Sequence, residues 1–160
     1  MAKNPANGNT QFQAAFKRIA QTSELDDVLA CTAMLANRSL DEVRKVATAK
    51  FQIPAQGVWY LTEAMVAELM AHYGFIAGTW QEATKPGALP DLCLLLLDWR
   101  ENTAAWGRHV LFHRNRDGAG VEYLIDPHPA TPADKQVRVD LSDLPLPLYY
   151  IGLKPMKGGK

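Results

Sequence analysis

The chain has 160 residues, 48% of them hydrophobic and 21% charged, which is enough for one sizeable core and too apolar for a disordered chain. Lysine plus arginine and aspartate plus glutamate both number 17, so the positive excess of a general nucleic-acid binder is missing and nucleic acid is not an expected partner. The longest apolar run, Leu92 to Leu97, is too short to cross a bilayer and the opening MAKNPANGNT has no apolar signal core, so the cytoplasm is the expected compartment.

In chain order, residues 1–10 are polar and rich in Asn and Gly and predict a loose arm, 154–160 a loose tail, and 11–153 a single domain. Phe12, Phe16 and Ile19 recur at helical spacing and predict a short helix ending near Ala20. In QTSELDDVLACTAMLANRSL, Thr22 or Ser23 can cap, and Glu24, Asp26 and Asp27 put negative charge in a first turn. Val28, Ala30, Cys31, Met34 and Leu35 make that helix a buried one, and Asn37 closes it. Ser39 and Glu42 form a capping box for a helix with Leu40, Val43 and Val46 inward.

FQIPAQGVWY, with Pro54 and Gly57, must be irregular. Thr62 caps a third helix whose inner stripe is Met65, Val66, Leu69, Met70 and Tyr73, with Gly74 as its stop. The methionines there read as packing, not a cofactor box. Beyond Gly74 the period changes, and strands are predicted at 92–98, 108–113, 121–126, 137–141 and 148–153. LPLPLYY, from Leu144 to Tyr150, reads as an exposed sheet edge or a partner-docking strand. Helices first and strands second predict an α+β domain, N-terminal helices on a mostly antiparallel sheet of about five strands. No glycine-rich phosphate loop is present, in keeping with this.

The strongest chemical signal is the pair His109 and Asp126, on successive strands joined by NRDGAG. Side by side in a hairpin, the aspartate would orient the imidazole and fix its tautomer, as a general base requires. A half-buried histidine beside a turn-forming Asp-Pro fits the same spacing. The two cysteines, Cys31 and Cys93, predict reduced, buried thiols rather than a disulfide framework. Cys31 lies roughly one turn inside its helix and Cys93 at the start of an apolar strand, neither at the helix N-terminus that stabilises a thiolate. A metal site from His109, His113, Asp126 and His128 is opposed by the about 13 Å that separates residues four apart on a strand. Trp99 and Trp106 bracket the loop before His109, where one of them would wall a cleft or cap the strand core. Arg108, Arg114 and Arg116 read as a solvated hairpin.

The order of a glutamine, a helix opening, a histidine strand and a strand ending Asp-Pro resembles the papain-like cysteine peptidases. Within them it is most similar to the double-glycine leader peptidase domains of bacteriocin exporters. Those domains read Gln, five residues, then Asp-Cys-Gly-x-Ala-x-x-Ala-Met; here Gln21 is followed by five residues and Asp27, and the helix runs DDVLACTAML. Aligning Ala30, Ala33 and Met34 sets Asp26 before the nucleophile, Asp27 on the nucleophile itself and Val28 on the glycine. SLDEVRKVA, LTEAMVAELMAHYGF, LPDLCLLLLDW, GRHVLFHR and EYLIDPHP extend the likeness over roughly 11–153. The resemblance implies a papain-like fold, His109 as general base, Asp126 as its orienter and Gln21 as an oxyanion-hole donor. It also implies a missing nucleophile, with Asp27 paired to His109 in a closed, unreactive site. The expected function is a degenerate peptidase domain that binds a peptide or partner protein, with no cofactor and no metal. The alternative is an active thiol hydrolase, acyltransferase or deamidase that uses Cys31 after a shift of the helix start.

Overall fold

The computed structural model describes residues 12–55, 61–99, 106–117 and 120–157. Three helices come first, α1 (Asp27–Ala36), α2 (Leu40–Phe51) and α3 (Glu63–His72), followed by β1 (Phe75–Ala83), β2 (Leu92–Trp99), β3 (Trp106–Arg114) and β4 (Glu122–Ile125). A four-residue helix, α4 (Ala133–Gln136), leads into the short β5 (Val137–Arg138), and β6 (Leu148–Pro155) ends the fold. The domain is α+β, as the order of periods predicts. Among the described residues no helix is long and apolar enough to cross a membrane.

The caps explain the helix boundaries. Ser39 Oγ accepts the Glu42 N–H at the start of α2, and Thr62 Oγ1 accepts the Met65 N–H at the start of α3. Asn37 closes α1 in the left-handed region at φ 51°, a conformation Asn tolerates better than most residues. On α2 the fully buried positions are Leu40, Val43 and Ala47, with Val46 only half-buried. Neither Thr22 nor Ser23 caps α1. Asp26 takes that position, and its carboxylate instead folds back onto the N–H groups of Thr22 and Ser23. Arg44 of α2 completes this corner with an ion pair to Asp26 at 2.7 Å.

The sheet has six strands in the order β1-β6-β2-β3-β4-β5, antiparallel throughout. Core packs on both faces of it. Leu92, Leu94, Leu111, Tyr123, Ile125, Ile151 and Leu153 meet the three helices. Cys93, Leu95, Leu97, Val110, Phe112, Leu124 and Leu148 meet Leu89, Leu141 and Leu144 from the loops. This explains why β2 reads LCLLLL without alternation: a central strand with both faces covered has no polar side.

Five expectations need correction. Residues 12–20 are not helical; the segment is drawn onto the sheet, Ala15 N–H bonding Tyr123 Oη and the Arg18 guanidinium bonding the carbonyls of Asp126 and His128. These tertiary bonds outweigh a helix too short to hold itself. β1 is a sixth strand missing from the sequence reading, which Gly78 and Thr79 disguise; the register shifts between Ala77 and Trp80. The predicted strand 137–141 shrinks to two residues behind α4. Leu144–Tyr150 is not a sheet edge, because β6 starts only at Leu148, after both prolines, and pairs with β1 and β2 on its two sides. The tail predicted from 154 begins inside that strand, which continues to Pro155.

Candidate functional site

The site is built where the N-terminus of α1 meets the middle of the sheet. Asp27, the first residue of α1, has its side chain 12% exposed and sends one oxygen to each side. Oδ1 accepts the Val28 N–H at 2.8 Å, one of the first-turn donors that a helix leaves without a partner. Oδ2 accepts the backbone N–H of His109 at 2.6 Å and meets its ring Nδ1 at 2.9 Å. A carboxylate only accepts, so Nδ1 carries the hydrogen, and Nε2 is the nitrogen left to face anything else. The Trp80 ring lies 5.7 Å from the imidazole, tilted by 36°. Burial acts to raise the Asp27 carboxyl, but the hydrogen bonds and charge of His109 and the Val28 N–H outweigh it. The group is held below the ordinary aspartate value of 3.8.

Cys31 is one turn deeper in α1 and fully buried. Its thiol points to the His109 carbonyl oxygen at 4.0 Å, not to the ring. Burial raises its pKa well above the ordinary thiol value, and the charges of Asp27 and Asp126 push the same way. Cys93, also buried, is raised by desolvation. Both thiols are free and neither is poised as a thiolate.

Asp126 is separated from His109 by the register of the hairpin. Leu111 stands opposite Ile125 and Phe112 opposite Leu124, which continues to Val110 opposite Asp126. Opposed residues share a face, so Asp126 joins Val110, Phe112 and Leu124 on the face away from the helices, while His109 lies with Leu111 on the helical face. Asp126 instead pairs with Arg108 and accepts from Thr131 Oγ1 and the His128 N–H. The expected side-by-side pair is thus not present, and the carboxylate on the His109 ring is Asp27.

Gln21 is buried beside the turn that leads to α1. Its backbone N–H bonds the Pro127 carbonyl at 2.8 Å, its side-chain Nε2 donates to the Ser23 carbonyl at 2.9 Å, and Oε1 has no partner among the described residues. The reading of Trp99 and Trp106 as cleft walls lies outside the described residues. His113 and His128 go elsewhere: His113 Nδ1 meets Tyr123 Oη at 2.7 Å, and His128 Nε2 meets Glu24 at 3.2 Å. Among the described residues no group of three His, Cys, Asp or Glu side chains could hold a metal ion. The hairpin arginines are all ion-paired, Arg114 with Asp91 and Glu122 and Arg116 with Asp91. Sequence reasoning missed Trp80, carried by the strand it did not find, and the role of Arg108 as partner of Asp126.

The dyad can orient an imidazole and leave Nε2 to bind or accept a proton, but it brings no activated nucleophile to that nitrogen. No protein-family model matches the chain, and no curated protein matches it.

Proposed function

We propose that the chain is a degenerate papain-like peptidase domain that binds an extended peptide or a partner protein without cleaving it. The observation that carries the reading is Asp27: where the resemblance calls for a thiol, a carboxylate holds both the ring and the backbone N–H of His109. A carboxylate there lacks the nucleophilicity of a thiolate, and its contact occupies the ring nitrogen nearest the helix. In this reading the orienting role at His109 falls to Asp27, because Asp126 is taken up by Arg108 on the other face. Binding of an extended chain is supported by β1, which is an edge strand of the sheet and carries Trp80 against His109. The alternative hydrolase on Cys31 is disfavoured by that residue's complete burial and raised pKa.

A peptide library incubated with the purified chain tests the proposal. Bound peptides should shift the His109 ring proton resonances in NMR spectra, and no thiol-dependent cleavage should follow. Cleavage abolished by iodoacetamide would overturn it. Asp27→Cys, which places a thiol beside the imidazole, should label with iodoacetamide faster than Cys31 or Cys93 in the same protein.

A further inference from the structure

On the sheet face away from His109 lies a cavity of about 280 Å³, between the ends of β2 and β3, α4 and the loop before β6. Its charged lining is Asp98, Arg108, Asp126, Lys135, Arg138 and Asp143, three carboxylates and three cations, with Leu97 and Leu144 as an apolar patch. These groups are unequally satisfied. Asp126, with its side chain 3% exposed, is filled by Arg108, Thr131 and the His128 N–H. Arg108 also gives its Nε–H to Asp98 at 2.5 Å, and Arg138 uses one nitrogen for both oxygens of Asp143 at 3.0 Å.

What remains is complementary in sign. The Lys135 ammonium has no partner among the described residues, its backbone N–H alone bonding the Pro132 carbonyl, and Arg138 keeps its Nε and second Nη donors. Asp98 and Asp143 have side chains 67% and 61% exposed, so each retains acceptor capacity beyond its arginine. Asp98 is held in the left-handed region at φ 58°, which turns the chain end of β2 so that its carboxylate meets Arg108. A simple anion in this cavity would face three carboxylates, and a simple cation would face three cations. A molecule carrying both charges at separate points meets a partner for each. The volume, at the small end for ligand pockets, limits it to a compact molecule.

We propose that this cavity binds a small zwitterion, a free α-amino acid with a compact apolar side chain. Its carboxylate pairs with Lys135 and the spare Arg138 donors, its ammonium with the free lone pairs of Asp98 and Asp143, and its side chain packs on Leu97 and Leu144. The pair of buried Asp126 and half-buried Arg108 forms the floor. None of these groups belongs to the Asp27–His109 dyad, so the inference stands apart from the peptide-binding reading.

Calorimetric titration of the full chain with L-leucine, N-acetyl-L-leucine and L-leucinamide tests it. L-leucine should bind saturably with a dissociation constant of about 1 mM or tighter, and the two blocked forms at least roughly tenfold more weakly, because each lacks one charge. Lys135→Gln and Asp98→Asn should each weaken L-leucine roughly tenfold. Both positions are exposed, so unchanged thermal unfolding of the variants separates lost binding from lost fold. Equal binding of L-leucine and N-acetyl-L-leucine, an affinity unmoved by Lys135→Gln, or no saturation with L-leucine would each overturn the assignment.

Discussion

Asp27 answers three donors at once: the Val28 N–H, the His109 N–H and the His109 ring. Removing the carboxylate would leave those groups in a largely buried corner. Asp27→Ala is therefore expected to lower unfolding stability by about 2–4 kcal/mol, read from urea denaturation, since each buried donor left unpaired carries a desolvation penalty. Asp27→Asn, which keeps one carbonyl acceptor, should cost less; an alanine variant as stable as the native chain would mean the dyad is not formed. The cysteines give a second expectation at this scale. Cys31 and Cys93 are both completely buried and both raised above the ordinary thiol value. Iodoacetamide at neutral pH should label neither until urea unfolds the chain, and fast native labelling of Cys31 would revive the hydrolase reading. The contact of Asp27 with His109 was foreseen only through the family resemblance, and Gln21, singled out on the same ground, has its side-chain amide on the Ser23 carbonyl. Trp80 was not foreseen, since an aromatic residue in a strand without an alternating pattern carries no local mark.

At the scale of elements, the helices were legible because their signals are local. Ser39, Thr62, Asn37 and Gly74 mark their ends with side-chain caps or a left-handed backbone. Gly74 tests this. Its φ is +86° and a Cβ there would meet nothing within 4 Å, so the cost of Gly74→Ala is backbone strain alone. About 1–2 kcal/mol of destabilisation is expected in thermal or urea unfolding, and a neutral result would show that the chain relaxes at this turn. The strands were read less well, because their positions depend on partners far away in sequence. β1 is defined by its pairing with β6, some 70 residues later by the Phe75–Pro155 to Ala83–Leu148 register. Its own residues, interrupted by Gly78 and Thr79, do not alternate. The segment 12–20 erred in the opposite sense: its apolar spacing is helical, yet its polar groups are bound by Tyr123 and by the carbonyls at the end of β4. The separation of His109 from Asp126 turns on a single residue of register, because a shift of one reverses every side chain on a strand. Spacing along the chain cannot set that parity; the pairing of Leu111 with Ile125 does.

Across the whole molecule, the sheet divides two polar clusters that begin on adjacent residues, Arg108 toward one face and His109 toward the other. Two groups on the helical face tie stability to pH. His113 lies there against Phe16, with Nδ1 on Tyr123 Oη. That hydroxyl also accepts the Ala15 N–H at 2.9 Å, and it can give its own hydrogen to Nδ1 when His113 is neutral and Nδ1 is bare. Burial lowers the His113 pKa below 6.5, against the opposing charges of Asp91 and Asp117. The unfolded chain therefore takes up this proton first, and stability that is intact above about pH 6.5 declines as pH falls toward the lower folded value. Asp27 has the same sign further down: its folded pKa is below 3.8, so its contribution is present above that value and is lost as pH falls through the folded one. Urea midpoints measured from pH 7.5 to 3 should fall in two stages. His113→Gln, whose carbonyl can still accept from Tyr123, should remove most of the first stage and leave the second, whereas Asp27→Asn should flatten the second. If His113→Gln declines between pH 7 and 5 as steeply as the native chain, the neutral histidine beneath the 12–20 segment is not what links acid to unfolding.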